Sequence, residues 1–494
     1  MAKNSKVVGA LILILLVASF LRLYSLDSMP PGLYSDEAMN GNNATEALAS
    51  GDFKVFYAEN NGREGLFMNI QAWLIDFIGL TGLIGPVGLL RLPSAIFGIL
   101  TVLGIYFLTK ELFGNKNLAL LAAFLIATSF WHINFSRIGF RAIMAPAFLT
   151  WGLYFLLVSY RTYKSYWSYL LPLLAGAVYG LGMHSYIAYR ATPLLILLVF
   201  YLIYKSHRAD LSDRNYWTIT AIFTAAAIIV FLPLGMYFLE NPADFFGRTG
   251  QISVWQSPAP LKDLGLNILK TAGMFNVAGD WNPRHNLPGA PLLWWPVGIL
   301  FLVGLIISIR SLFRNWKLEI GNLESSTKFA NLILLAWLII TALPVIISNE
   351  GMPHALRAIL MAPPVFIFAA WGGVRLFEKL RPVGPIRFIG LVGLIVFAAA
   401  NAYISYFLDW TKRADVAEAF NAKYVGIAEE INALPASTPK YLVIDTGGHD
   451  IRKIGSPAQT IMYLTDTYLP EKQKEKNIYY ISPAEASELS EFSE

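Results

Sequence analysis

Apolar residues occur along most of this 494-residue chain in long runs separated by short polar breaks. A helix needs about 20 mostly apolar residues to cross a bilayer core. Runs of that order occupy residues 7–26, 86–109, 118–134, 142–160, 167–183, 190–204, 216–239, 292–309, 329–348, 357–377 and 387–408. The pattern predicts a polytopic α-helical membrane protein with about eleven crossings. Alternate loops are basic: Lys110 and Lys116; Arg161 and Lys164; Lys205, Arg208 and Arg214; Arg310, Arg314, Lys317 and Lys328; then Arg375, Lys379, Arg381 and Arg387. The positive-inside rule sets these loops and the amino terminus in the cytoplasm, and the odd count sets the carboxyl-terminal tail outside. Lys3 and Lys6 ahead of "VVGALILILLVASFL" have the outline of a secretory signal, but no small-residue cleavage site follows. The segment reads as an uncleaved first span.

Two outer loops, 27–85 and 240–291, are long enough to make structure of their own. In the first, "GREGLFMNIQAWLIDFIGL" has apolar residues at helical spacing with polar interruptions, which predicts a helix lying in the interface. Read as a crossing instead, it would reverse every later loop. From residue 411 the character changes: "KRADVAEAFNAKYVGIAEEINALP" predicts an amphipathic helix, "KYLVIDTGG" a strand and turn, "AQTIMYLTDTYL" a helix and "NIYYIS" another strand. The expected division is a membrane domain, 1–410, and a small extracytoplasmic α/β tail, 411–494, with a frayed acidic end, "AEASELSEFSE".

Composition excludes several classes. At 55% hydrophobic and 14% charged residues the chain is unsuited to a soluble fold. With no cysteine it has no disulfide, thiolate metal site or cysteine nucleophile. The net charge of +5 is spread over loops rather than clustered on one face, so nucleic acid is not an expected partner. No P-loop, nucleophile elbow or zinc-protease helix is present.

Ionisable groups cost roughly 2.5–3.5 kcal/mol each at the centre of a membrane helix on insertion scales, so those held near span ends need a reason. The outer side collects them. Asp36 and Glu37 lie in "GLYSDEAMNGNNA", Glu64 in "NNGREGLF", and Arg137 and Arg141 in "HINFSRIGFR". Tyr186, Tyr189 and Arg190 lie in "MHSYIAYRATP", Asp280, Arg284 and His285 in "GDWNPRHNLPGAP", and His354 and Arg357 in "NEGMPHALRAI". Plainer explanations stand beside a catalytic one: capping by Asp36 and Glu37, snorkelling by the arginines, an aromatic belt and turn chemistry. Asp280 with His285 also reads as a metal pair of unspecified geometry.

"LRLYSLDSMPPGLYSDEAMNGNNA", "RLPSAIFGILTVLGIYFLTKELFG", "SFWHINFSRIGFRA" and "PHALRAI" resemble the GT-C glycosyltransferases, specifically the protein O-mannosyltransferase and aminoarabinose-transferase superfamily, over roughly residues 10–375. The resemblance implies a GT-C-like bundle and an inverting transfer of sugar from a polyprenyl-phosphate or polyprenyl-diphosphate donor to an acceptor hydroxyl at the outer face of the cell membrane. It also implies that the first-loop acid is the base, which here is Asp36. General chemistry agrees, because a carboxylate within hydrogen-bond reach can take the acceptor proton as the oxygen attacks. Glu37 then orients Asp36 or binds acceptor. Arg137, Arg141, Arg284, His285, His354 and Arg357 are expected on the donor phosphate, where guanidinium and imidazole donors meet developing charge. Glu64, Tyr189, Arg190 and Asp280 are expected on the sugar or the acceptor.

The implied partners are the lipid-linked donor, membrane lipids and a protein, lipid or glycan acceptor; neither sugar nor acceptor has a readable code. Many family members have a second acid in the outer turn where "NFSRIGFRAIMAP" has none. No cofactor is therefore firmly implied, and a divalent metal stays open. The expected site is one outward cavity roofed by the first and fourth outer loops. The chief rival is a transporter or flippase of lipid-linked glycans, a class that often places charges at mid-membrane depth within repeated halves. Here the charges gather on one side and no halves are evident. A non-catalytic scaffold is the third reading.

Overall fold

A computed structural model describes residues 2–162, 169–206, 212–313, 327–380, 384–444, 450–451, 454–481 and 486. Of the basic loop residues, Lys164, Arg208, Arg314, Lys317, Arg381 and the side chain of Arg387 lie outside that description, as do the turn after the first tail strand and nearly all of the acidic end. Among the described residues, nine helices are long and apolar enough to cross a membrane: Ser5–Leu23, Pro86–Phe113, Arg141–Arg161, Ile187–Ser206, Asp213–Glu240, Trp295–Phe313, Thr327–Ile346, Ile359–Lys379 and Val392–Lys412. The chain is a multi-pass, mostly helical membrane protein.

The other two expected crossings are shorter helices, Lys116–Ala127 with 12 residues and Leu170–Gly182 with 13. At 1.5 Å per residue, about 20 Å of helix falls short of the roughly 30 Å hydrocarbon core. The run 118–134 stops early for a local reason. The Ser129 hydroxyl accepts a hydrogen bond from the His132 amide at 3.4 Å and starts a separate helix, Phe130–Phe135. The apolar stretch of the first outer loop forms a 13-residue helix, Leu66–Ile78.

Packing divides the chain into two compact units. The first comprises Met1–Tyr24, Ala95–Ser136 and Arg141–Ser405. Its helices Trp295–Phe313 and Ala362–Leu380 approach closely at Gly304 and Gly372, where a Cβ on either residue would collide with the facing helix's backbone, Phe368 O or Leu300 O. Small residues let membrane helices gain dispersion contacts where lipid offers no hydrophobic drive between them. Gly304→Ala is expected to cost about 1–3 kcal/mol by overpacking. A lower unfolding midpoint of the detergent-solubilised protein would register it. Buried indoles fix the turn that precedes the second of these helices: Trp131 Nε1 donates to Ala355 O at 3.0 Å and Trp337 Nε1 to Leu360 O at 2.9 Å.

The second unit comprises Ser25–Ser94, Arg137–Phe140 and Tyr406–Glu494. Residues of the tail thus pack in one unit with Ser25–Ser94. Here the helix Ser35–Ser50 is followed by an antiparallel hairpin, Phe56–Tyr57 with Arg63–Glu64, and then by Leu66–Ile78. The tail supplies parallel strands Lys440–Val443 and Ile478–Ile481, with Lys440 opposite Ile478, over a core that includes Ala428, Ile461, Met462 and Ile478.

The single amphipathic helix expected across 411–434 is instead two, Ala414–Ala419 and Ala422–Ala433. Asn421 interrupts it at φ 58°, a left-handed conformation that Asn tolerates, and its Nδ2 donates to Ser35 Oγ at 2.8 Å. The helix Ala458–Leu464 completes the joint: Asn42 Nδ2 donates to Gln459 Oε1 at 2.9 Å, Thr460 Oγ1 to Leu33 O at 2.9 Å and Tyr463 OH to Pro86 O at 3.0 Å. The tail thus braces the helix that holds the acidic pair.

Candidate active site

The helix Ser35–Ser50 starts in a capping box: the Tyr34 amide donates to Glu37 Oε2 at 3.3 Å. Both acids therefore sit in its first turn, where the helix dipole favours negative charge. Their environments then separate them. Glu37 is fully buried, and its Oε1 accepts from Arg91 Nε at 3.0 Å and the Gly139 amide at 2.7 Å. A second Arg91 nitrogen reaches Glu37 Oε2 at 3.3 Å. Arg91 spends its other donors on Leu26 O at 3.3 Å, Pro30 O at 2.9 Å and Gly32 O at 2.8 Å. This ion pair ties the entry loop, the helix and the 137–140 turn together.

Asp36 is only half-buried, and its Oδ1 accepts one hydrogen bond, at 2.8 Å, from Asn60 Nδ2. Asn60 belongs to the hairpin tip "NNG", where Asn60, Asn61 and Gly62 are left-handed in succession, at φ 53°, 64° and 82°. Asn and Gly are the residue types that adopt such backbone at least cost. Past the tip, buried Arg63 returns to the acidic helix, donating to Asn40 Oδ1 at 2.7 Å and Asn43 Oδ1 at 2.6 Å. Asn40 Nδ2 in turn donates to Gly139 O at 3.0 Å. Of the two acids, Asp36 is the less enclosed.

The other expected residues of this unit are enclosed. Glu64 is buried. Arg137 is fully buried, donates to Ser25 O at 3.3 Å and Met29 O at 3.0 Å, and lies over the rings of Tyr406 and Phe407 at 5.2 and 4.9 Å.

In the first unit, the loop 279–290 closes on itself. Asp280 Oδ1 accepts from the Asn282 amide at 2.8 Å, and the Gly289 amide donates to Asp280 O at 3.0 Å. Asp280 Oδ2 meets His285 Nδ1 at 2.9 Å and accepts from the Ala355 amide at 2.8 Å. The same oxygen lies 3.9 Å from His354 Nδ1, and the two imidazoles face each other at 4.8 Å with a 35° tilt. Burial pushes the His285 pKa below its usual value, while the hydrogen bond and charge of Asp280 pull it upward.

Arg357 is buried, with one donor 2.6 Å from Glu350 Oε2 and another bonded to Glu350 O, at 2.8 Å, and to Ser348 Oγ. Arg284 is half-buried, its amide held by Asn282 Oδ1 at 3.0 Å and its carbonyl by Asn134 Nδ2 at 2.8 Å. Arg141, also half-buried, lies over the Tyr186 ring at 5.8 Å. Arg190 donates to Phe245 O at 2.7 Å and rests on Phe238 and Phe245 at 4.8 and 4.5 Å. Tyr189 is wholly buried against Tyr179, with ring centroids 5.5 Å apart.

Among the described residues, neither Glu37 nor the turn 136–143 offers Asp36 a free second carboxylate for a metal. Every Glu37 oxygen is engaged, and the turn 136–143 contributes no acid. Asn60, Arg91 and Asn40 are not among the residues the sequence nominates. Arg91 has a signal, as a lone cation in the apolar stretch "GLLRLPSA", and the "NNG" tip marks a tight turn. That the tip folds back to Asp36 has no sequence signal.

Residues 71–237 match the family described as dolichyl-phosphate-mannose-protein mannosyltransferase. No curated protein sequence matches the chain. Among solved structures, the archaeal oligosaccharyltransferase AglB from Archaeoglobus fulgidus, in complex with an inhibitory peptide and a dolichol-phosphate, is similar at 15% identity and TM-score 0.58, covering 98% of this chain and 70% of that one. The apo form of the Archaeoglobus fulgidus enzyme aligns at 15% identity and TM-score 0.55 over 94% of this chain and 64% of its own, so this chain spans about two thirds of that enzyme's length. ArnT from Cupriavidus metallidurans bound to undecaprenyl phosphate is similar at 14% identity and TM-score 0.57, covering 97% of this chain and 91% of that one. At such identities the likeness is one of fold.

Proposed function

We propose that this multi-pass membrane protein, similar in fold to GT-C glycosyltransferases, transfers a sugar from a polyprenyl-phosphate donor to an acceptor hydroxyl with inversion, Asp36 being the general base. The observation that carries the reading is the separation of the acidic pair: Glu37 is sealed in an ion pair with Arg91, whereas Asp36 is half-exposed and aimed by a single bond from Asn60. In the reaction the acceptor oxygen attacks the anomeric carbon opposite the phosphate and loses its proton to Asp36. The glycosidic bond to phosphate breaks, and the lipid phosphate leaves with the electron pair.

Support for a lipid-linked donor comes from the two fold relatives solved with a dolichol-phosphate and with undecaprenyl phosphate. The basic alternate loops support a cytoplasmic amino terminus and an extracytoplasmic tail in the cell membrane. Purified protein in detergent, given a panel of radiolabelled polyprenyl-phosphate sugars and an acceptor-containing membrane extract, is expected to move label from the lipid to the acceptor. Transport of intact donor across reconstituted vesicles without cleavage of the sugar–phosphate bond would overturn the reading in favour of a flippase.

A further inference from the structure

We propose that Asp280, His285 and His354 together bind one divalent transition-metal ion of the zinc class. Among the described residues, these three offer ligand atoms that all lie within 4.8 Å of one another. They come from separate stretches of chain: Asp280 and His285 from the closed loop 279–290, His354 from the turn before the helix Ala362–Leu380. Two imidazoles with one carboxylate form a donor set that suits zinc and its neighbours, whereas magnesium and calcium prefer oxygen ligands alone.

The distances need only a modest closure. Ligands about 2.0–2.2 Å from a tetrahedral zinc lie roughly 3.3 Å apart. Asp280 and His285 are already in contact at 2.9 Å, so the remaining movement falls on His354, the one partly exposed member of the three. Backbone groups hold the carboxylate from behind: the Ala355 amide on Oδ2 at 2.8 Å and the Asn282 amide on Oδ1 at 2.8 Å. Trp131 in turn holds Ala355 O at 3.0 Å. Such outer contacts orient ligands before the ion arrives. Three protein ligands leave a fourth position for water or for an oxygen of a bound anion. None of this depends on the sugar-transfer reading, and its test is separate from any activity measurement.

Untagged full-length protein, stripped with chelator and exchanged into metal-free detergent buffer, is titrated with zinc chloride by calorimetry. One equivalent is expected to bind, and His354→Ala and His285→Gln are each expected to weaken binding by at least tenfold. Cobalt(II) chloride should give a visible absorption band that His354→Ala removes. Magnesium chloride at the same concentration should give no saturable heat. If His354→Ala does not yield folded protein, His354→Gln replaces it. Zinc binding equal in the wild type and the variants, absence of saturable binding in the wild type, or selective uptake of magnesium would each overturn the proposal.

Discussion

Asp36→Asn is expected to lower sugar transfer by about 100- to 10,000-fold, the usual contribution of a positioned general base, while the protein still folds, inserts and binds its lipid-linked donor. The substitution suits the question because it alters the chemistry and little else. Asn has the same shape as Asp and retains a carbonyl oxygen that can accept from Asn60 Nδ2, the bond now made at 2.8 Å. It cannot take the acceptor proton. Asn60→Ala should be milder, about tenfold on kcat with KM little changed, because it removes a positioning bond to a charged group worth roughly 1.5–3 kcal/mol and leaves the base itself. Radiolabel transfer over a range of donor concentrations separates the two effects. A wild-type rate for Asp36→Asn would remove the carboxylate from the mechanism.

The second large effect concerns folding. Glu37→Ala or Arg91→Ala alone is expected to destabilise the protein by about 3–5 kcal/mol, since each leaves its partner's charge buried without compensation. Both side chains are fully buried, and the pair holds the Gly139 amide together with the carbonyls of Leu26, Pro30 and Gly32. Replacing both with apolar residues of similar volume should recover much of the loss in the ion pair, though the freed backbone groups will still cost. Thermal unfolding in detergent, and the yield of monodisperse protein, measure this. A midpoint for Glu37→Ala within a degree of wild type would assign Glu37 some role other than bracing. The contrast matters for function: loss of activity in a Glu37 variant is expected to follow loss of fold, whereas loss in Asp36→Asn is not.

What the sequence reveals divides along a physical line. The long crossings are legible because burial in lipid is a bulk demand, satisfied by a sum over about twenty residues. The run 118–134 misleads because the sum ignores Ser129, whose single cap ends one helix and starts another. In the tail, apolar spacing finds both strands and the helix between them, but the spacing is blind to Asn421, where a left-handed backbone breaks the predicted helix in two.

The candidate site divides in the same way. The acidic pair stands out as charge at the end of a span. Its division of labour does not, because it is decided by partners remote in sequence, Arg91 for Glu37 and Asn60 for Asp36. Arg137 is an instructive case. Its place beside a span suggests phosphate capture, yet carbonyls and aromatic rings enclose it, so in the proposed mechanism it braces the entry loop. His354 gains its meaning only when the fold brings it to His285 and Asp280.

The most direct measurement is a density map of the Asp36→Asn variant, slow enough to retain an intact lipid-linked donor. If residue 36 acts as the base, the anomeric carbon lies just one acceptor oxygen away from its side chain, with hydrogen-bond reach of about 2.6–3.2 Å from side chain to that oxygen and a further 3–3.5 Å or so to carbon. A donor whose sugar sits well beyond that span, with residue 36 facing bulk water, would contradict it.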